Sequence, residues 1–145
     1  MGSTAENTEG GYRMSKYLDH AKELRAIKEP HYNCCQSVIV CFAEECGITE
    51  EQAYALGSHF GRGMFRASAC GAVVGGLMAL GMLGHGDRET LNEYYRILRE
   101  NHQGCLDCAD LLKLNKEKGG EKKPHCDGLV YECVGLVEKL SGLTG

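Results

Sequence analysis

The chemistry this sequence can carry rests on thiols. Nine cysteines occur in 145 residues, a high density and an odd number. Four of them, Cys34, Cys70, Cys108 and Cys126, fall in the first turns of expected helices. A helix N-terminus has unsatisfied N–H groups and the positive end of the macrodipole, and both stabilise a thiolate over a thiol. Four such ends meeting at one locus would suit deprotonated sulfurs, a bound metal or an anionic iron–sulfur cluster, so the same four are the candidate catalytic thiols and metal ligands. One buried cysteine is explained as a small hydrophobe. Four at helix starts call for a shared site.

Around them stand the other candidates. Gly71 and Gly75 lie on one face of an expected helix, in a segment that also holds Gly76. Glycine costs on the order of 1 kcal/mol against alanine there, so a helix partner or a cofactor is expected to approach that face closely. Arg62 and Arg66 could bring positive charge to Cys70, although arginines of this kind are more often solvated or paired with surface acids. Cys105 and Cys108 form a CxxC, which on one helix face would make a dithiol or two ligands of one metal. Gly71, Gly75, Arg62 and Cys105 are thus the candidate cofactor contacts. Cys41 and Cys133 each follow a candidate cysteine by seven residues and read as core behind the site. His31 and His125 stand close to Cys34 and Cys126 in sequence and are further candidates for tuning a thiolate or binding a metal.

The elements that must position these residues are helical. Ser15 to Glu29 has helical apolar spacing and stops at Pro30; His31 to Cys46 restarts and ends at Gly47. Thr49 with Gln52 reads as a capping box opening a helix to about Phe60, followed by a flexible turn at Gly61-Arg62-Gly63. Ser68 is expected to cap a short glycine-rich central helix from about Cys70 to Leu83. Asp87 caps a long helix to about His102, and Cys105 to Leu114 gives a helical turn or two. Asn115 to Pro124 reads as a mobile loop, and the last helix runs from about Cys126 to Leu140. The expected fold is an all-α, single-domain irregular bundle of five or six helices over 14–145, with 1–13 a disordered tail or expression remnant.

Composition narrows the function. The net charge is −4 and the sixteen Lys and Arg are dispersed, which argues against nucleic-acid binding. The most apolar segment, Cys70 to Leu83, is shorter than the roughly 20 residues a membrane span needs. Met1 to Gly11 carries no apolar run, and an odd cysteine count does not suit a secreted disulfide scaffold. The expected location is therefore cytoplasmic, where thiols stay reduced unless they serve catalysis or metal binding. No P-loop, dinucleotide fingerprint or Ser-His-Asp order is present.

The motifs also carry a resemblance. Asn33-Cys34-Cys35-Gln36-Ser37-Val38, His59-Phe60-Gly61-Arg62-Gly63-Met64 and Cys70-Gly71-Ala72-Val73-Val74-Gly75, followed by Cys108 and Cys126, resemble the redox-active family named for its C…GCAxxG…C…C pattern. The likeness covers about Tyr32 to Leu140. Arg62 stands where that family often has glycine, and five further cysteines are present. The resemblance implies an all-helical fold and a cysteine-based redox or iron–sulfur role.

Three functions follow as expectations. The first is electron transfer through an iron–sulfur cluster on Cys34, Cys70, Cys108 and Cys126, with an unidentified partner protein. The second is thiol–disulfide exchange without cofactor, pairing Cys70, the first choice of reactive thiol, with one of the other three. The third is a structural zinc protein with no catalytic role. A homodimer is compatible with the glycine-lined helix faces.

Overall fold

Ser15 opens the first helix by accepting the Leu18 N–H at 3.0 Å, a cap that replaces one missing helical partner. Helix α1 (Lys16–Ala26) buries Tyr17, Leu18, Ala21 and Leu24. The computed structural model describes residues 15–143 together with Thr8–Glu9 (β1) and Tyr12–Arg13 (β2), which pair antiparallel. The expectation for 1–13 falls outside the described residues apart from that ladder.

Helix α2 (Cys34–Ile39) begins at Cys34, three residues later than expected. Asn33 and Gln36 form a reciprocal capping box there. The rod continues through a tighter turn, Val40–Phe42, into α3 (Ala43–Cys46), and Gly47 closes it at φ 78° as anticipated. The Thr49–Gln52 capping box is present and opens α4 (Glu50–Leu56). This helix stops short of Phe60. Gln36 donates to the Tyr54 carbonyl at 2.8 Å and Asn33 to that of Gly57 at 3.0 Å. Side chains of α2 thereby take the carbonyls that a longer helix would use.

Helix α5 (Gly71–Met82) is central and glycine-rich. Its N-cap is Cys70, not Ser68, because the Ser68 carbonyl accepts the Cys108 N–H instead. Gly75 backs onto α2, where a Cβ would come within 2.9 Å of the Cys35 carbonyl. Gly76 makes room for Tyr94, whose hydroxyl donates to the Val73 carbonyl at 3.0 Å. The expectation of close helix approach is met on this face.

Asp87 caps α6 (Arg88–Asn101) as expected, accepting from Thr90 at 3.0 Å. Helices α7 (Cys108–Glu117) and α8 (Lys122–Ser141) extend into the predicted loop and reduce it to 118–121. Asn115 pins that turn by donating to the Glu121 carbonyl. Pro124 occupies the first turn of α8, where a missing N–H costs no helical bond. Cys126 consequently lies in the second turn of α8 and not the first.

The described residues form an all-α bundle around one hydrophobic cluster, with Phe42, Leu80, Tyr94, Leu98, Val130 and Val137 fully buried. Among them no helix is long and apolar enough to cross a membrane.

Candidate functional site

The four candidate cysteines reach one place by four routes. Cys34 is the first residue of α2, Cys70 caps α5 and Cys108 is the first residue of α7. Cys126 faces them from α8. The starts of α5 and α7 are clipped together: the Cys70 N–H donates to Leu106 at 3.1 Å and the Cys108 N–H to Ser68 at 2.6 Å, across a bridge between Ala69 and Asp107. Gly71 lets α5 lie against α2, since a Cβ there would be 2.5 Å from the Phe60 carbonyl oxygen and 3.3 Å from the Cys34 Cβ. The resulting cavity is about 310 Å³ and is lined by all four cysteines, with Gly71, Arg62, Phe65, Lys122 and His125 among its other walls.

One wall is built from unusual backbone. Arg62, Gly63, Met64, Phe65 and Ala67 all have φ between 51° and 64°. The turn expected at 61–63 thus continues as a left-handed coil, closed by hydrogen bonds from Phe65 to Gly61, Ala67 to Arg62 and Ser68 to Gly63. Each L-residue held there costs roughly 1–2 kcal/mol. Gly63 sits where a Cβ would be 2.9 Å from that of Cys108. The coil holds the Phe65 ring over the cavity while leaving it 58% exposed.

The thiols are not electrostatically equivalent. Cys34 and Cys126 are neighbours that shift each other in opposite directions. Cys126 is drawn down to about 7, first because its thiolate accepts from the Cys34 thiol, then through Arg25 and Lys122, against the opposing effect of burial. Cys34, as the donor, is pushed well above the ordinary thiol value by that bond and by burial. Burial raises Cys70 to about 11 and also raises Cys108, for which Arg62 and Lys122 act in the other direction. The Arg25 side chain is buried and paired with Asp127 at 2.7 Å. His125 is lowered by burial and by His102, so its imidazole is neutral at pH 7; its Nε2 is buried without a hydrogen-bond partner among the described residues.

A second, larger groove of about 770 Å³ adjoins the cavity. Cys34 and Cys126 line both spaces, whereas Cys70 and Cys108 line only the inner one. His31 lines the groove and not the inner cavity.

Several expected contacts lie elsewhere. Cys105 precedes α7 and turns to the Gln103 carbonyl at 3.9 Å, so the CxxC does not lie on one helix face and only its second thiol lines the cavity. Gly75 and Arg66 do not line the cavity, while Gly71 and Arg62 do. Cys35, Cys41 and Cys133 are core residues, and all nine cysteines are free thiols. Sequence reasoning missed Arg25, Lys122 and Phe65. Lys122 was hidden because α8 begins before Cys126, and Phe65 carries no local signal for a left-handed coil.

The donor chemistry of the cavity suits some groups better than others. Among the described residues no three His, Cys, Asp or Glu side chains stand close enough to hold a single metal ion. Four thiols around one cavity do match the donor set of an iron–sulfur cluster, whose irons share the ligands between them.

A family model described as "Putative redox-active protein (C_GCAxxG_C_C)" matches residues 32–140, a span that holds all four cavity cysteines. No curated protein and no solved structure matches the chain.

Proposed function

Because the chain belongs to this family of redox-active proteins, we propose that it works by thiol–disulfide exchange, with Cys126 as the attacking thiolate and Cys34 as the resolving thiol. The observation that carries the reading is that Cys34 and Cys126, alone among the four cysteines, line both the cavity and the open groove beside it, with Cys126 drawn down to about 7 beside Cys34. Cys126 is then the acidified thiol of the pair and Cys34 the one that keeps its proton, the division that exchange requires.

The cycle follows from that asymmetry. At pH 7 Cys126 is about half thiolate and attacks one sulfur of an incoming disulfide R–S–S–R, forming Cys126–S–S–R and releasing R–S⁻. Once its sulfur is in a disulfide, Cys126 no longer stabilises the Cys34 proton, and the departing thiolate or the neutral His125 imidazole takes it. The Cys34 thiolate then attacks the Cys126 Sγ, closing the Cys34–Cys126 disulfide and releasing the second R–S⁻, which solvent protonates. Two electrons pass from the protein dithiol to the substrate. Cys70 and Cys108, held protonated at neutral pH, wall the cavity behind the pair.

The test is controlled oxidation with diamide followed by peptide mass mapping. The expected product has lost about 2 Da and carries a Cys34–Cys126 linkage, absent in Cys126→Ser and retained in Cys105→Ser. A linkage elsewhere, or no loss of mass, overturns the reading.

The convergence of all four thiols on one cavity favours a second reading, an iron–sulfur cluster held by Cys34, Cys70, Cys108 and Cys126. Such a group supplies one-electron transfer. The chain's own contribution would be the N–H groups at the starts of α5 and α7, with Arg62 and Lys122 offsetting anionic charge. A visible spectrum with iron and acid-labile sulfide assays on protein purified without oxygen decides: charge-transfer bands with matching iron and sulfide support the cluster, and colourless iron-free protein rules it out.

A further inference from the structure

We propose that the groove beside the Cys34–Cys126 pair binds small anionic disulfides, molecules of peptide size whose carboxylates are held by Arg62, Lys122 and Lys28. This inference deepens the exchange reading and rests on it.

The charge of the groove is the first argument. Five cations, Arg25, Lys28, Arg62, Lys122 and Lys123, line it, and no Asp or Glu does. The chain as a whole is net −4, so this surface runs against the charge of the protein that carries it. Asp127 engages Arg25 and Lys123. No ion pair holds Lys28, Arg62 or Lys122 among the described residues, which leaves three cations for a ligand. Arg62 and Lys122 also wall the inner cavity, so a carboxylate bound by them stands beside the thiols.

Shape is the second. The groove is concave and about 770 Å³, within the range of small-molecule sites, and its floor carries the two exchanging sulfurs. Tyr32 and Tyr54, packed edge-on at 5.0 Å between centroids, and Phe65 give it apolar walls. Apolar rings and cations in one groove suit an extended peptide arm that bears carboxylates. Anchored at a carboxylate by Arg62 or Lys122, such a molecule would present its disulfide to Cys126. The electron balance is that of the cycle above: the dithiol is oxidised to the Cys34–Cys126 disulfide, and one R–S–S–R becomes two R–SH.

The test compares single-turnover oxidation of the reduced protein by glutathione disulfide (anionic), 2-hydroxyethyl disulfide (neutral) and cystamine (cationic). Each rate is divided by that of the same disulfide with free dithiothreitol, which removes intrinsic reactivity. The expected order is anionic, neutral, cationic, with at least a tenfold anionic-to-neutral preference that shrinks as salt is raised. Arg62→Asn together with Lys28→Gln, the asparagine chosen because it tolerates the left-handed backbone at 62, should lower that preference about tenfold. Arg88→Gln, which removes a charge outside the groove, should leave it unchanged. Equal normalised rates with a Cys34–Cys126 product would overturn the substrate class and leave the exchange reading standing. If none of the three disulfides, nor diamide, links Cys34 to Cys126, both fall.

Discussion

Removing the Cys34 thiol tests how the site makes a nucleophile. The hydrogen bond from Cys34 is the largest influence lowering Cys126 from the ordinary value of 9.0 to about 7, and burial opposes it. In Cys34→Ala that donor is gone while Arg25 and Lys122 still oppose the burial, so Cys126 should return to near the ordinary 9. The thiolate fraction at pH 7 then falls from about one half to about one hundredth, roughly fifty-fold. A more basic thiolate is intrinsically a better nucleophile, and a Brønsted slope near 0.45 returns about eightfold over that interval. The net expectation is a reaction with a neutral disulfide about six times slower at pH 7, with an alkylation profile for the Cys126 peptide moved up to near 9. Cys34→Ser keeps a hydroxyl donor and should retain a profile well below 9. The assay is timed alkylation across pH with mass quantification of the Cys126 peptide. A Cys126 profile unchanged in Cys34→Ala, or a native Cys126 that titrates at 9, would refute the reasoning.

Other consequences follow from the same structure. Because Cys126 is depressed in the fold relative to its unfolded value near 9, stability should rise as pH goes from 7 to about 8. Cys34, Cys35, Cys41, Cys46, Cys70, Cys108 and Cys133, all raised in the fold, should make it fall again above about 8, and urea melts that decline between 7 and 8 would contradict this. Gly71→Ala places a Cβ against the Phe60 carbonyl and the Cys34 Cβ; it should cost about 1–3 kcal/mol in urea unfolding and slow formation of the Cys34–Cys126 disulfide. Met64→Gly, at φ 60° on a partly exposed side chain, relieves left-handed strain against a more flexible unfolded chain. It should stabilise by about 0.5 kcal/mol, and a lower urea midpoint would show that the coil does not strain Met64.

The features readable in the sequence are those decided within a few residues. The Thr49–Gln52 box, the Asp87 cap and the Gly47 stop depend on local donors and acceptors, and all three are present. The four cysteines could be singled out because each lies near a helix start, and the fold does bring them to one cavity. What was hidden depends on distant partners. Helix α4 ends early because Asn33 and Gln36, on another helix, take its carbonyls. Ser68 does not cap α5 because its carbonyl is committed to Cys108. The left-handed coil at 62–67 is built, Gly63 apart, from residues with no local preference for it, and the charged, glycine-bearing stretch after Asn115 concealed the first turn of α8. That missing turn moved Cys126 off the helix end and hid Lys122 beside it. We accordingly propose Cys126, drawn down beside Cys34, as the attacking thiol where the sequence pointed first to Cys70.

The most direct test of the central claim is an equilibrium redox titration in defined thiol–disulfide buffers, with every cysteine trapped by alkylation and quantified by mass. The account predicts one reversible two-electron transition between about −270 and −120 mV, the range of working dithiols, in which only the Cys34 and Cys126 peptides change. A transition carried by Cys70 or Cys108, or no transition in that range, would contradict it.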